Sequence, residues 1–199
     1  MILTFAQGFI MGGGLIVAIG AQNAFVLSNG IRRSHLLLIP LICSICDITL
    51  IVLGLAGTGS VIAAHPHLGQ WAAWGGALFL FWYGLRAFSS AVRGTSMETG
   101  KVPAGSLSAV IGTTLAVSLL NPQAILDTVV LLGSAGGRFV GTGRILFGLG
   151  AILASVIWFF SLSFGGKMLA PVFRRPVSWR VLDSTVGISM WTIAFFLVG

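Results

Sequence analysis

Residues 45–53, ICDITLIVL, and residues 124–132, AILDTVVLL, are apolar stretches that each carry one acid in their interior. The acids are Asp47 and Asp127, two of only four carboxylates in the chain. A carboxylate near the centre of a bilayer costs about 2.5–3.5 kcal/mol on insertion scales, so it usually faces a water-filled cavity, an ion pathway or a partner. Asp47 and Asp127 are therefore interpreted as binding a cation in transit.

The composition is that of an integral membrane protein. Of its 199 residues, 56% are hydrophobic and 8% are charged, with a mean hydropathy of +1.03, whereas soluble domains average about 25% charged residues. A hydrocarbon core about 30 Å thick needs roughly 20 apolar residues per helix. We predict an all-α fold in a single transmembrane domain, residues 1–199, with about six transmembrane helices near residues 3–27, 36–58, 68–90, 106–132, 145–170 and 181–198.

The basic residues indicate how the chain is oriented. The net charge of +7 and the pI of 11.2 would suit nucleic acid, but the cations lie between apolar segments and form no long basic run. Nine of the 11 fall on one side of the predicted fold, namely Arg32, Arg33, Arg86, Arg93, Lys101, Lys167, Arg174, Arg175 and Arg180. The positive-inside bias makes that side cytoplasmic, so the C-terminus is predicted outside and no nucleic-acid partner is expected. The N-terminus lies outside if the first segment spans fully, and inside if that segment is re-entrant.

The two halves of the chain, approximately residues 1–95 and 105–199, echo each other weakly. QNAFVL at residues 22–27 ends the first segment, and NPQAIL at residues 121–126 interrupts the fourth. Three helices per half would make the halves inverted repeats, a common transporter plan in which interrupted helices form a site near the midplane. We expect inverted three-helix repeats with interrupted first and fourth helices, although any six-helix protein could hold two such segments by chance.

Pro122 is the predicted cause of the interruption in the fourth helix. Proline has no backbone N–H and its ring crowds the preceding turn, so the helix should kink or unwind near residues 119–121. In lipid, such a break is tolerated where it is buried in protein or lines a cavity. Asp127 follows five residues after Pro122, which puts its carboxylate close to the break. A purely structural kink is the alternative.

Cys43 and Cys46 form a CSIC motif, whose spacing invites a redox or metal interpretation. A structural zinc site needs four ligands, and there is no second cysteine pair, so no metal site is predicted and small-residue packing is the simpler interpretation. A membrane thiol-disulfide electron carrier that uses both cysteines is the alternative. The chain has no Walker-type phosphate loop and no nucleophile motif, so neither an enzyme nor a cofactor is expected.

Four stretches resemble the lysine exporter family, namely GAQNAFVL at residues 20–27, Cys46-Asp47, LNPQAILDTVVLLG at residues 120–133 and ASVIWF at residues 154–159. The resemblance covers essentially the whole chain and is strongest to the branch that exports lysine and arginine, in which an acid stands at the position of Asp127. One departure is Ala21, where the family usually has proline, and its absence should soften the break in the first helix. The resemblance implies export across the bacterial inner membrane.

A basic amino acid offers two cationic groups and a carboxylate, which matches the predicted site. We expect Asp47 and Asp127 to bind the cations and at least one of them to exchange a proton, while Gln22, Asn23 and Asn121 are weaker candidates for the substrate carboxylate. Moving one positive charge outward against the membrane potential costs about 2.3 kcal/mol per 100 mV, a cost that exchange for a proton would cancel. The sequence and the resemblance together predict a secondary exporter of L-lysine or L-arginine that works as an antiporter.

Other functions stay open from the sequence alone. The substrate could be a neutral amino acid, and transport could be channel-like or a uniport driven by high internal substrate. The two aspartates could form a structural cluster, hydrogen-bonded while protonated and out of contact with substrate. A homodimer would thicken the wall that six short helices form around a path, but no residue pattern establishes one.

Overall fold

The computed structural model describes residues 1–17, 20–57, 74–75, 77–78, 81–82, 84–85, 88–89, 92, 107–171 and 176–198. Within these ranges the regular secondary structure is helical throughout, as predicted. Its elements are α1 (Ile2–Ile16), α2 (Ala21–Ile31), α3 (Leu38–Leu55), α4 (Leu107–Leu119), α5 (Pro122–Ile125), the π-helical segment π1 (Leu126–Leu132), α6 (Gly133–Gly137), α7 (Thr142–Leu169) and α8 (Pro176–Val198).

Two of the described helices are long and apolar enough to cross a membrane by themselves. They are α3, with 18 residues, and α7, with 28 residues, and their lengths are about 27 Å and about 42 Å at 1.5 Å per residue. α1 and α2 form a third candidate as a pair bent by 79°. The predicted third helix, residues 68–90, lies mostly outside the described residues. The six-helix count and the inverted repeats therefore stay predictions.

Both of the predicted interruptions coincide with helix ends. α1 ends at Ile16 and α2 begins at Ala21, while α4 ends at Leu119 and α5 begins at Pro122. Pro122 is the first residue of its helix, a position that suits proline because the N–H it lacks would have no intrahelical acceptor there. The first interruption forms without a proline, and α2 starts after Gly20, whose backbone is extended (φ −124°, ψ −179°).

α7 runs antiparallel to α3 and is hydrogen-bonded to it near both ends. Near the start of α7, Arg144 Nη1 donates a hydrogen bond to the carbonyl oxygen of Leu55, the last residue of α3, over 3.5 Å. Near the end of α7, Ser163 Oγ donates a hydrogen bond to the carbonyl oxygen of Leu36, just before α3, over 2.9 Å. The midpoints of the two helices therefore lie side by side.

Small residues allow the helices to approach closely. A Cβ atom on Gly12 of α1 would lie 2.8 Å from the Cα of Ala151 in α7. A Cβ atom on Gly54 of α3 would lie 2.8 Å from the carbonyl oxygen of Thr128 in π1. Such contacts between small residues are the usual basis of helix packing in membranes, where lipid is as apolar as a leucine side chain.

Two apolar clusters lie on either side of the middle of α3. The first cluster consists of Phe25, Val26, Ile39, Cys43, Val117 and Phe159. The second cluster consists of Ile51, Leu132, Phe147 and Ala151. On α3, Asp47 lies between Cys43, which belongs to the first cluster, and Ile51, which belongs to the second. The middle of the fold is therefore closed by apolar packing on both sides.

Candidate functional site

One polar cavity lies where the two helix interruptions meet. It has a volume of about 40 Å³ and is lined by Leu15, Ile16, Gly20, Gln22, Asn23, Asp47, Asn121, Ala124, Asp127 and Thr128. These residues come from the end of α1, the start of α2, the middle of α3, and the region from the α4–α5 break to the start of π1. A single water needs at least roughly 10–15 Å³ of such volume, so the cavity has room for a few water molecules.

Asp47 lies at the middle of the span formed by α3. It is nine residues from Leu38 and eight from Leu55, so each end of the helix is about 13 Å away. Its side chain is 2% exposed, and Ser155 Oγ donates a hydrogen bond to Asp47 Oδ2 over 2.9 Å. Ser155 is fully buried and lies halfway along α7. The carboxylate is therefore held at mid-helix between α3 and α7, the two described helices that are each long and apolar enough to cross a membrane.

Asp127 reaches the same cavity from the second interruption. It lies in the first turn of π1, is partly buried, and lines the cavity together with Asp47. A π-helical turn carries an extra residue within the helix and occurs frequently at functional sites. The two acids, 80 positions apart in the sequence, are thus brought to one cavity by the tertiary structure.

Gln22 and Asn121 supply unsatisfied polar atoms to the cavity. The side chains are 6% and 5% exposed, and both line the cavity. Gln22 Nε2, a donor, and Asn121 Oδ1, an acceptor, have no hydrogen-bond partner among the described residues. Leaving a buried polar group unpaired costs about 1–3 kcal/mol, so such atoms call for water or a ligand. These two atoms therefore give the cavity one available donor and one available acceptor beside the two carboxylates.

Asn23 is already engaged with protein groups. Its Nδ2 donates a hydrogen bond to the carbonyl oxygen of Ile16, the last residue of α1, over 2.7 Å. Its Oδ1 accepts a hydrogen bond from Trp158 Nε1 of α7 over 3.1 Å. Asn23 therefore ties the end of α1 to α2 and α7 across the first interruption. Of the three amides suggested by the sequence, Gln22 and Asn121 are better placed to meet a ligand.

The cysteines stand apart from the cavity lining. Cys43 and Cys46 are free and buried, and neither belongs to the residues that line the cavity. Ser118 Oγ donates a hydrogen bond to Cys43 Sγ over 3.7 Å, and Cys43 is part of the first apolar cluster. Across the described ranges, no group of three or more His, Cys, Asp or Glu residues could hold a metal ion.

Three residues near the site were not identified as site residues from the sequence. Ser155 and Trp158 fall in the family-like stretch at residues 154–159, and Thr128 falls in the one at residues 120–133, but neither stretch assigned them a contact. The partner of Ser155 could not be inferred because the contact with Asp47 joins residues 108 positions apart.

The comparisons with known proteins agree with a transporter. A family profile described as LysE type translocator matches residues 14–199. The arginine exporter protein ArgO of Yersinia enterocolitica is 43% identical over 199 residues, which covers 99% of this chain and 97% of that protein. The protein of the same name from Salmonella enteritidis is 40% identical over 198 residues, covering 99% of this chain and 94% of that protein. No solved structure shows a significant match.

Proposed function

The chain belongs to the LysE type translocator family and is a transporter, not an enzyme, and we propose that it exports arginine across the bacterial inner membrane. The observation that carries the proposal is the convergence of Asp47 and Asp127 on one cavity between the two helix interruptions. The full-length relatives named arginine exporters favour arginine as the main substrate, and lysine offers the same pair of cationic groups.

The two carboxylates account for recognition of the cationic groups. A guanidinium presents five N–H donors in a planar fork that fits a carboxylate with two parallel hydrogen bonds. Asp47 is held through Oδ2 by Ser155 and lines the cavity, where its carboxylate takes the guanidinium. Asp127 serves the second cationic group, so the presence of two acids favours a basic amino acid over a neutral one.

The substrate carboxylate is assigned to the start of α2. Gln22 Nε2 is a buried donor without a partner among the described residues, and it lies in the first turn of α2. The free N–H groups at a helix start carry a partial positive charge that favours an anion. Gly20, the residue before α2, has no side chain that could cap these N–H groups. Asn121 Oδ1 is then the acceptor available to the α-ammonium group.

Exchange for a proton completes the proposed mechanism. Export of a cation against an inside-negative potential costs about 2.3 kcal/mol per 100 mV, and the return of one proton makes the cycle electrically neutral. A carboxyl at the site releases its proton when the basic substrate binds and regains one from the other side after release. Since Asp47 is almost fully buried, it is the stronger candidate for this exchange, releasing its proton as it takes the substrate cation.

The cavity must enlarge during transport. Its volume of about 40 Å³ is far below the roughly 300–1,000 Å³ of typical ligand pockets. The first cluster and the second cluster flank it along α3. The described conformation therefore has no room for an amino acid at this site, and transport requires the packing around the cavity to change, as in alternating access.

The test is counterflow of labelled arginine, lysine and threonine in proteoliposomes. We expect exchange of arginine, weaker exchange of lysine and none of threonine. Asp47→Asn and Asp127→Asn should each lower arginine exchange by about tenfold or more, because each removes one charge partner of the substrate. Exchange at zero potential should respond to an imposed pH gradient.

A matched control comes from the same helix as Asp47. Thr49 is exposed on α3, and its hydroxyl donates a hydrogen bond to the carbonyl oxygen of Ile45 one turn earlier in the same helix, so Thr49→Val should transport normally. If threonine exchanges as well as arginine, the basic substrate is wrong. If both Asn variants match the native chain at equal insertion, the aspartates form a structural cluster and the proposed site fails.

A further inference from the structure

We propose that a second cavity, distinct from the transport site, binds the phosphate group of an anionic phospholipid headgroup. This headgroup cavity has a volume of about 480 Å³ and is lined by Arg33, His35, Leu36, Leu37, Leu38 and Phe164. It lies at the start of α3 and near the end of α7, away from the mid-helix position of Asp47.

The charge of the headgroup cavity favours an anion. Arg33 is exposed, and none of the described residues that line the cavity is a carboxylate. A guanidinium binds phosphate through two parallel hydrogen bonds, and a histidine can donate an N–H to phosphate oxygen in either protonation state. Arg33 and His35 thus present two kinds of donor to one side of the cavity.

The backbone holds these two side chains in place. Arg33 and His35 both have positive φ angles, 55° and 49°, in the turn between α2 and α3. Arg33 N–H bonds to the carbonyl oxygen of Gly30 and Ser34 N–H to that of Asn29, each over 3.0 Å. The carbonyl oxygen of Leu36 accepts the hydroxyl of Ser163 from α7 over 2.9 Å. The turn is therefore fixed at both its ends.

The position of the cavity identifies the phosphate as that of a lipid. α3 is a candidate membrane span that begins at Leu38, which places the turn before it at the level of the headgroups. Leu37, Leu41 and Ile45 are 63%, 48% and 53% exposed, and their spacing of four residues puts them on one face of α3. This apolar stripe leads from the cavity toward the bilayer centre, where it meets the acyl chain of a bound lipid.

The experiment measures lipid retention by native mass spectrometry of the delipidated full chain in detergent. Phosphatidylglycerol should bind about tenfold more strongly than phosphatidylcholine, since basic residues at this level attract anionic lipid. The variant Arg33→Asn, His35→Asn should lose about tenfold in affinity for phosphatidylglycerol. Asparagine is chosen because it tolerates positive φ better than most residues. Arg138→Asn, at an exposed position beyond α6, is the control and should bind as the native chain does.

Three results would overturn the proposal. The first is retention of phosphatidylcholine as strong as that of phosphatidylglycerol, and the second is a double variant that retains phosphatidylglycerol as the native chain does. The third is displacement of the lipid by inorganic phosphate at the same concentration as the lipid, which would assign a site for free anions.

The native chain gives a second test without substitution. Raising NaCl from about 0.05 M to about 0.5 M shortens the Debye length by roughly threefold and should weaken retention, and retention that ignores salt would also overturn the proposal.

Discussion

Ser155 Oγ donates a hydrogen bond to Asp47 Oδ2 over 2.9 Å, and the bond joins the midpoints of α3 and α7, the two described helices that are each long and apolar enough to cross a membrane. Both side chains are almost completely buried, at 0% and 2% exposure. Hydrogen bonds to charged groups contribute about 1.5–3 kcal/mol, and this one restrains the carboxylate where it lines the cavity. Ser155 is therefore a positioning residue for Asp47.

Ser155→Ala should lower arginine exchange by about tenfold, because Asp47 loses a donor that orients it. The effect should fall mainly on the KM for arginine, since a misoriented carboxylate binds the guanidinium less well. Concentration-dependent counterflow in proteoliposomes measures it. Ser161→Ala is the matched control, since Ser161 is exposed on the same helix. An unchanged KM for the Ser155 variant would contradict the positioning role.

Gln22→Met should reduce transport without reducing stability. Methionine has a similar length but no N–H, and Gln22 Nε2 has no partner to lose among the described residues. Removing an unsatisfied buried polar atom should leave the melting temperature unchanged or raise it, while arginine exchange falls by about tenfold. Thermal melting in detergent and counterflow are measured on the same preparation.

The control for Gln22 is Gln7→Met, at an exposed position on α1. It should change neither the melting temperature nor the rate of arginine exchange. A Gln22 variant that transports arginine normally would show that the substrate carboxylate binds elsewhere. A variant that melts well below the native chain would show that the amide has a structural role.

Gly54→Ala should destabilise the fold by about 1–3 kcal/mol, the usual cost of overpacking. The added Cβ would lie 2.8 Å from the carbonyl oxygen of Thr128, and α3 and π1 would have to separate. The melting temperature in detergent reports the change. Gly14→Ala is the control, because no atom lies within 4 Å of a Cβ at that position. Equal melting temperatures for the two variants would show that the close contact is not required.

The double variant Cys43→Ser, Cys46→Ser should transport arginine at close to the native rate. Both thiols are buried and free, and neither lines the transport cavity. A serine in place of Cys43 would keep a small polar atom within reach of Ser118, so the packing loss should be modest. Counterflow before and after treatment with a thiol oxidant checks the prediction. A thiol-disulfide carrier requires both cysteines, so loss of activity in this variant would favour that alternative.

Much of the architecture followed from local sequence. The apolar runs predicted the helices, and Pro122 predicted the end of α4 at residues 119–121 because a proline cannot continue the preceding turn. The first interruption, expected to soften in the absence of a family proline at Ala21, separates α1 and α2, which are bent by 79°; whether the missing proline softens it stays a prediction. The hydrogen bonds of Asn23 to Ile16 and Trp158 hold that interruption, and no sequence pattern specified them.

Local composition was sufficient to predict a membrane protein with Asp47 and Asp127 inside its apolar segments, because that prediction depends on single segments and on the cost of a carboxylate in lipid. It could not predict which polar atoms meet. Ser155 bonds Asp47, Asn23 bonds the end of α1, and Gln22 and Asn121 keep unpaired atoms in the cavity. These outcomes depend on how α7 packs against α1, α2 and α3, and therefore on contacts between residues far apart in the chain.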